Sequence, residues 1–161
     1  MKNIFSFLLL ITIAVTFWGC PYQTSVSIDI PSVKIDQKLI GTWKSNSSED
    51  NKYKIEAKDE FIYSIIKRSK GSEDEKYFGF ISLINNVSFF NIYNDNGSDA
   101  PPEDYYLYRM EIKGDGIIIL KELTENIDEE FASSDELKKY IIANMNNSYF
   151  YSKDEEIYTK Q

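Results

Sequence analysis

The chain is predicted to be mainly β, with about eight antiparallel strands closing into a barrel and one short helix before the last strand. Three observations carry that expectation. From residue 39 to residue 123 the chain is a series of short segments that alternate apolar with polar side chains, the period of a half-buried strand. Tight-turn pairs, glycines and acidic loops separate these segments at hairpin spacing. Aromatic residues, which favour strands, make up 15% of the chain, and 20 of the 24 lie beyond the first twenty residues.

The first strand is "LIGTWKS" (39–45). "KYKIEA" (52–57) follows, with Tyr53, Ile55 and Ala57 on one face. The short link "KDE" (58–60) predicts a hairpin into "EFIYSIIKR" (60–68), where Phe61, Tyr63 and Ile65 share a face. Beyond the loop "SKGSEDE" come "KYFGFISLI" (76–84) and "VSFFNIY" (87–93), joined by the turn signal Asn85-Asn86. The connection "NDNGSDAPPED" (94–104) leads to "YYLYRMEI" (105–112), which sets Tyr106, Tyr108, Met110 and Ile112 on one side. "KGDG" then turns the chain into "IIILKEL" (117–123).

The period changes to 3.6 in "SSDELKKYIIANM". Leu137, Tyr140, Ile141 and Met145 form one stripe, and Ser133 with Glu136 makes a capping box. "EIYTK" (156–160) is the last strand. Closure into a barrel would remove the exposed edges of such a set.

The ends bound where the protein works. In "MKNIFSFLLLITIAVTFWGC", Lys2 precedes an apolar run from Ile4 to Trp18. At roughly 15 residues that run is shorter than the roughly 20 a bilayer span needs, and it has signal-peptide length. Gly19 then precedes Cys20, the single cysteine of the chain. These residues resemble a bacterial lipoprotein signal peptide with its lipobox, with Phe17 and Trp18 where a leucine and a small residue are usual. The resemblance implies cleavage before Cys20 and a diacylglycerol thioether on its sulfur. It also implies palmitate-type acyl anchorage in the cell envelope or periplasm, the outer membrane being the favoured address and the leaflet open. An uncleaved anchor and an ordinary secretory signal are the other readings of the same residues. The expected organisation is a signal peptide at 1–19, a flexible tether at 20–34 with two prolines, and one barrel domain at 35–161.

With one cysteine no intramolecular disulfide can form, so packing must hold the domain. The formal charge of −8 becomes −9 once residues 1–19 leave with Lys2, giving 17 basic against 26 acidic side chains. An acidic chain without a basic run argues against nucleic acid and against electrostatic adhesion to anionic headgroups. Membrane attachment is therefore expected through lipidated Cys20 alone.

Histidine is absent, which removes the usual imidazole base and the common zinc ligand. A lipidated Cys20 offers no thiolate. No phosphate-cradling glycine loop occurs. The chain is expected not to be an enzyme and to carry no cofactor or metal. The loop 94–104 gathers Asp95, Asn96, Asp99, Glu103 and Asp104 but misses the EF-hand register. It is read as a solvated loop, with calcium as the alternative.

Two motifs suggest a family. Gly41-Thr42-Trp43 on the first strand is similar to the Gly-x-Trp motif that opens lipocalins, and "DYYLY" (104–108) looks like their Asp-Tyr-x-x-Tyr segment. The resemblance implies a lipocalin-like, calycin-type barrel in which Gly41 allows close packing and Trp43 plugs the closed end. It also implies a late arginine packed over the tryptophan, a place that neither arginine of the chain, Arg68 or Arg109, fills. Tyr63, Phe78, Phe80, Tyr106 and Tyr108 are the candidate ligand-binding residues if they point inward. An eight-stranded barrel is just wide enough to be filled by side chains or to hold one small ligand. Two functions follow: a membrane-tethered module holding a small apolar molecule or lipid, or a filled barrel that docks another envelope protein as an inhibitor or assembly factor.

Overall fold

The computed structural model describes residues 22–98, 101–124, 127 and 129–161. Its strands are β1 (Gln23–Thr24), β2 (Gly41–Ser45), β3 (Lys52–Ala57), β4 (Tyr63–Arg68), β5 (Glu75–Ile84), β6 (Val87–Asn94), β7 (Tyr105–Lys113), β8 (Ile117–Glu122) and β9 (Glu156–Lys160). Among the described residues one α-helix, α1 (Ser134–Asn144), precedes β9. From β2 to β9 each strand pairs antiparallel with the next, and β9 pairs back onto β2, with Trp43 opposite Lys160. The result is the closed eight-stranded barrel that the alternation predicts.

Local chemistry sets the turns. Asn85 and Asn86 both have positive φ (49° and 65°), the conformation of a two-residue hairpin turn that joins β5 to β6. β4 starts at Tyr63, three residues later than its sequence suggests. The Asp59 carboxylate accepts from the N–H groups of Phe61 and Ile62 at 2.8 Å, which draws both into the turn. The capping box forms: Ser133 Oγ accepts from the Glu136 N–H at 3.3 Å, and the Glu136 carboxylate accepts from the Ala132 N–H at 3.1 Å.

There are two cores, one on each face of the sheet. Trp43, Tyr63, Ile81, Phe90, Met110 and Ile118 fill the inside. Ile84, Phe89 and Leu107 face outward beneath Leu137 and Ile141 of α1. The stripe read from the sequence is therefore the face that packs on the barrel wall.

Residues 20–34 are expected as a flexible tether, and the structure corrects this from Tyr22 onward. Gln23 and Thr24 pair with Tyr106 and Tyr105 of β7, beyond the point where β8 leaves it. Ile28 is fully buried, and its N–H donates to Asn91 Oδ1 at 2.9 Å. Asp29 meets Lys138 of α1 at 2.5 Å. Burial of Ile28 alone is worth about 1.5–3 kcal/mol. Asn91 faces outward and is itself buried, so it needs partners; its amide also donates to Ser82 Oγ (3.0 Å) and the Phe80 carbonyl (3.3 Å). The segment then crosses to the opposite end of the barrel, where Val33, Ile35, Leu39 and Ile40 pack against the inner core. Among the described residues no helix is long and apolar enough to cross a membrane. The signal-peptide reading and Cys20 lie outside the described residues.

Candidate functional site

Strand parity decides which side chains face the barrel axis. The inward set runs Trp43, Tyr53, Ile55, Tyr63, Ile65, Lys67, Tyr77, Phe90, Ile92, Tyr106, Tyr108, Leu120 and Tyr158, and it encloses a cavity of about 300 Å³. That volume lies at the lower limit of small-molecule sites.

The cavity floor is apolar and pinned. Trp43 Nε1–H donates to the Leu39 carbonyl at 2.9 Å, and the Asp36 N–H donates to the Tyr63 hydroxyl at 2.8 Å. Lys160 Nζ lies 5.4 Å from the Trp43 ring and donates to the Lys38 carbonyl at 2.8 Å. A side chain at Gly41 would place its Cβ 2.8 Å from Lys160 Cε. Gly41 thus makes room for the lysine stem that reaches Trp43. The cation over the tryptophan is Lys160, so a search among the arginines could not find it.

The mouth, at the opposite end, is polar. Lys67 pairs with Glu75 at 2.8 Å, and the Tyr77 hydroxyl donates to the same carboxylate at 2.5 Å. The Tyr158 hydroxyl donates to Glu156, and Gln23 Nε2 donates to the Tyr106 hydroxyl at 2.9 Å. The bonds from Lys67 and Tyr77 hold the Glu75 carboxyl below the usual carboxylate range, and Glu75 in turn raises Lys67. Burial, reinforced by nearby carboxylates, pushes the phenols of Tyr77, Tyr108 and Tyr158 well above the ordinary tyrosine range. At neutral pH these hydroxyls are uncharged hydrogen-bonding groups at the edge of an apolar cavity.

Of the five side chains expected to line a ligand site, Tyr63, Tyr106 and Tyr108 do line the cavity. Phe78 and Phe80 do not. The β5 register turns Tyr77, Gly79 and Ile81 inward and sends both phenylalanines to the outer face. There Phe80 meets Tyr105 edge-on (6.4 Å) and Phe78 packs on Tyr93 (5.8 Å) beneath Lys58 Nζ (3.5 Å). The Phe90 ring occupies the space over Gly79, 2.8 Å from where a Cβ would stand. Sequence reasoning missed Tyr53, Tyr77 and Tyr158 as lining residues, and Lys67 and Glu156 as charged side chains at the mouth. Parity was the available signal, since Lys67 shares a face with Tyr63, and Glu156 with Tyr158.

In the loop considered for calcium, Asp95 and Asn96 accept from the N–H groups of Gly97 and Ser98, which closes the turn on itself. Asp99 lies outside the described residues. A second hollow of about 910 Å³ lies outside the barrel, between the end of α1 and β7–β8, and includes Arg109, Lys121 and Tyr151. Arg109 Nε is buried there without a hydrogen bond, while Lys121 is paired with Glu155 at 2.5 Å.

Compared with protein-family models, curated proteins and solved structures, the chain has no significant match.

Proposed function

We infer that this chain is a lipid-anchored protein of the cell envelope whose lipocalin-like barrel holds one small, mostly apolar molecule. The observation that carries the reading is the cavity: apolar at its floor, ringed by tyrosine hydroxyls at its mouth, and built on strands closed all round. Such a site binds by burying apolar surface and orients its guest through a few polar groups. It needs no nucleophile and no general base, in keeping with a carrier or sensor and not an enzyme.

The anchor reading rests on Cys20 and the apolar run before it. Gln23, three residues beyond Cys20, is bonded to Tyr106 at the mouth. Three residues span about 10 Å, so acyl chains on Cys20 would hold the mouth close to the bilayer surface, where apolar molecules partition. Native mass spectrometry of the full chain in lipid nanodiscs tests the ligand. A bound mass released on unfolding is expected, and repeated recovery of empty protein, with a crystal structure whose barrel interior is packed solid, would count against it. For the anchor, Cys20→Ser is expected to abolish fatty-acid labelling and membrane attachment. Wild-type sedimentation of that variant with membranes would refute lipidation.

A further inference from the structure

The charge inside and around the barrel is lopsided. Two charged side chains, Lys67 and Glu156, line the cavity. Lys67 is occupied by Glu75. Glu156 makes no salt bridge among the described residues and is held by the Tyr158 hydroxyl. Above it, the described parts of the connections, 46–51, 69–74, 95–98, 101–104 and 152–155, lie at the mouth, as strand direction requires. They carry nine acids and two lysines. Strand-end cations offset part of this, Arg68 with Asp74 at 3.2 Å and Lys121 with Glu155 at 2.5 Å, and a surplus of negative charge remains. A cleft lined by one sign of charge raises the local concentration of the opposite ion.

Inside, Tyr53, Tyr77, Tyr106, Tyr108 and Tyr158 surround the upper cavity. Tyrosine faces attract cations, and cages of aromatic rings are a known way to hold alkylated ammonium groups. Tyr108 lines this space. An anionic guest would meet Glu156, with the ammonium of Lys67 already paired with Glu75. A neutral apolar guest would leave the carboxylate and the tyrosine cage unused.

We propose that the cavity receives a small organic cation, an amine or alkylammonium with an apolar body, its charge set among the mouth tyrosines beside Glu156. This rests on the cavity being a ligand site. The apolar body lies against Ile55, Ile65, Ile92 and Leu120, and the cationic end stays at the level of Glu156. A simple fatty acid is then the wrong ligand for this barrel, although the walls alone would accept its chain.

Three probes that share one body test this: 3-phenylpropylamine, 3-phenylpropanol and 3-phenylpropionate. Each is titrated calorimetrically into the full chain in zwitterionic nanodiscs, with empty nanodiscs as the blank. The amine is expected to bind at least about tenfold tighter than the alcohol, a difference of about 1.4 kcal/mol. The propionate should be weakest, and only the amine should weaken as salt is raised. Glu156→Gln is expected to remove most of the amine's advantage over the alcohol. Equal or tighter binding of the alcohol or the propionate overturns the proposal while leaving the cavity a ligand site. So does an amine preference that survives Glu156→Gln. No binding of any probe overturns both readings. Should Glu156→Gln fail to fold, the order of the three probes on the wild-type chain and its salt dependence decide the matter.

Discussion

Replacing Trp43 by phenylalanine tests the idea that the barrel floor is a clasp and not merely a greasy plug. Trp43 is 1% exposed, and its indole N–H is bonded to the Leu39 carbonyl at 2.9 Å. Phenylalanine keeps a ring but removes roughly 40 Å³, which at about 24 cal/mol per Å³ of cavity costs about 1 kcal/mol. It also strands the Leu39 carbonyl, at about 1–3 kcal/mol for a buried acceptor left alone. Lys160 would lie over a smaller, less attractive ring, adding a few tenths. The sum is about 3 kcal/mol, a large fraction of the stability of an ordinary domain. The melting temperature should fall by about 10 °C. Guanidinium unfolding followed by far-UV circular dichroism is the assay, since the substitution removes the tryptophan that would report on the core. A loss below about 1 kcal/mol would refute the reasoning, because the hydrogen bond and the ring volume could not then both matter.

Two further outcomes follow from buried polar groups. Asn91→Leu should cost about 2–3 kcal/mol by orphaning the Ile28 N–H, and it should speed amide exchange at Ile28 far more than at Phe90; equal exchange at both sites would contradict the docking of this segment. At alkaline pH the phenols of Tyr108 and Tyr158 keep their protons above their ordinary value of 10.0 while the unfolded chain loses them. Their contribution is therefore complete below about pH 10 and declines above it, by about 1.4 kcal/mol per pH unit for each phenol. Guanidinium midpoints measured at about pH 9 and about pH 11, with tyrosinate absorbance recorded alongside, check this, and an unchanged midpoint would refute it.

Strand existence was legible where the outer face is more open than the inner, as in "KYKIEA", where Ile55 is buried between half-buried Lys54 and exposed Glu56. Parity failed where both faces are covered. In β5, "FGFIS" is apolar on both sides, because the inner core lies below it while the docked N-terminal segment and Tyr105 lie above. Large rings suggested the inward face there, but the inward position is Gly79, emptied to admit Phe90. The docking of residues 22–34 has only a weak signal in the sequence, the alternation of Val26, Ile28 and Ile30. What fixes it is Asn91, a polar residue whose outward, buried position cannot be read before the helix is in place. The mouth went unread for a related reason: Lys67 and Glu156 look like solvated strand ends until closure turns them toward a shared axis.

The seam of the barrel lies between β2 and β9, the first and last of the eight strands to be synthesised. A chain emerging from its N-terminus can form hairpins early, but it leaves two unsatisfied edges until residues 156–160 arrive. Closure over so long a sequence separation is slow. During that interval the Trp43 side chain has no Lys160 above it and the floor stays open. A polypeptide threaded across a membrane before it folds suffers nothing from such a delay. A holding chaperone that recognises open sheet edges would find its target in this interval and lose it when the last strand locks.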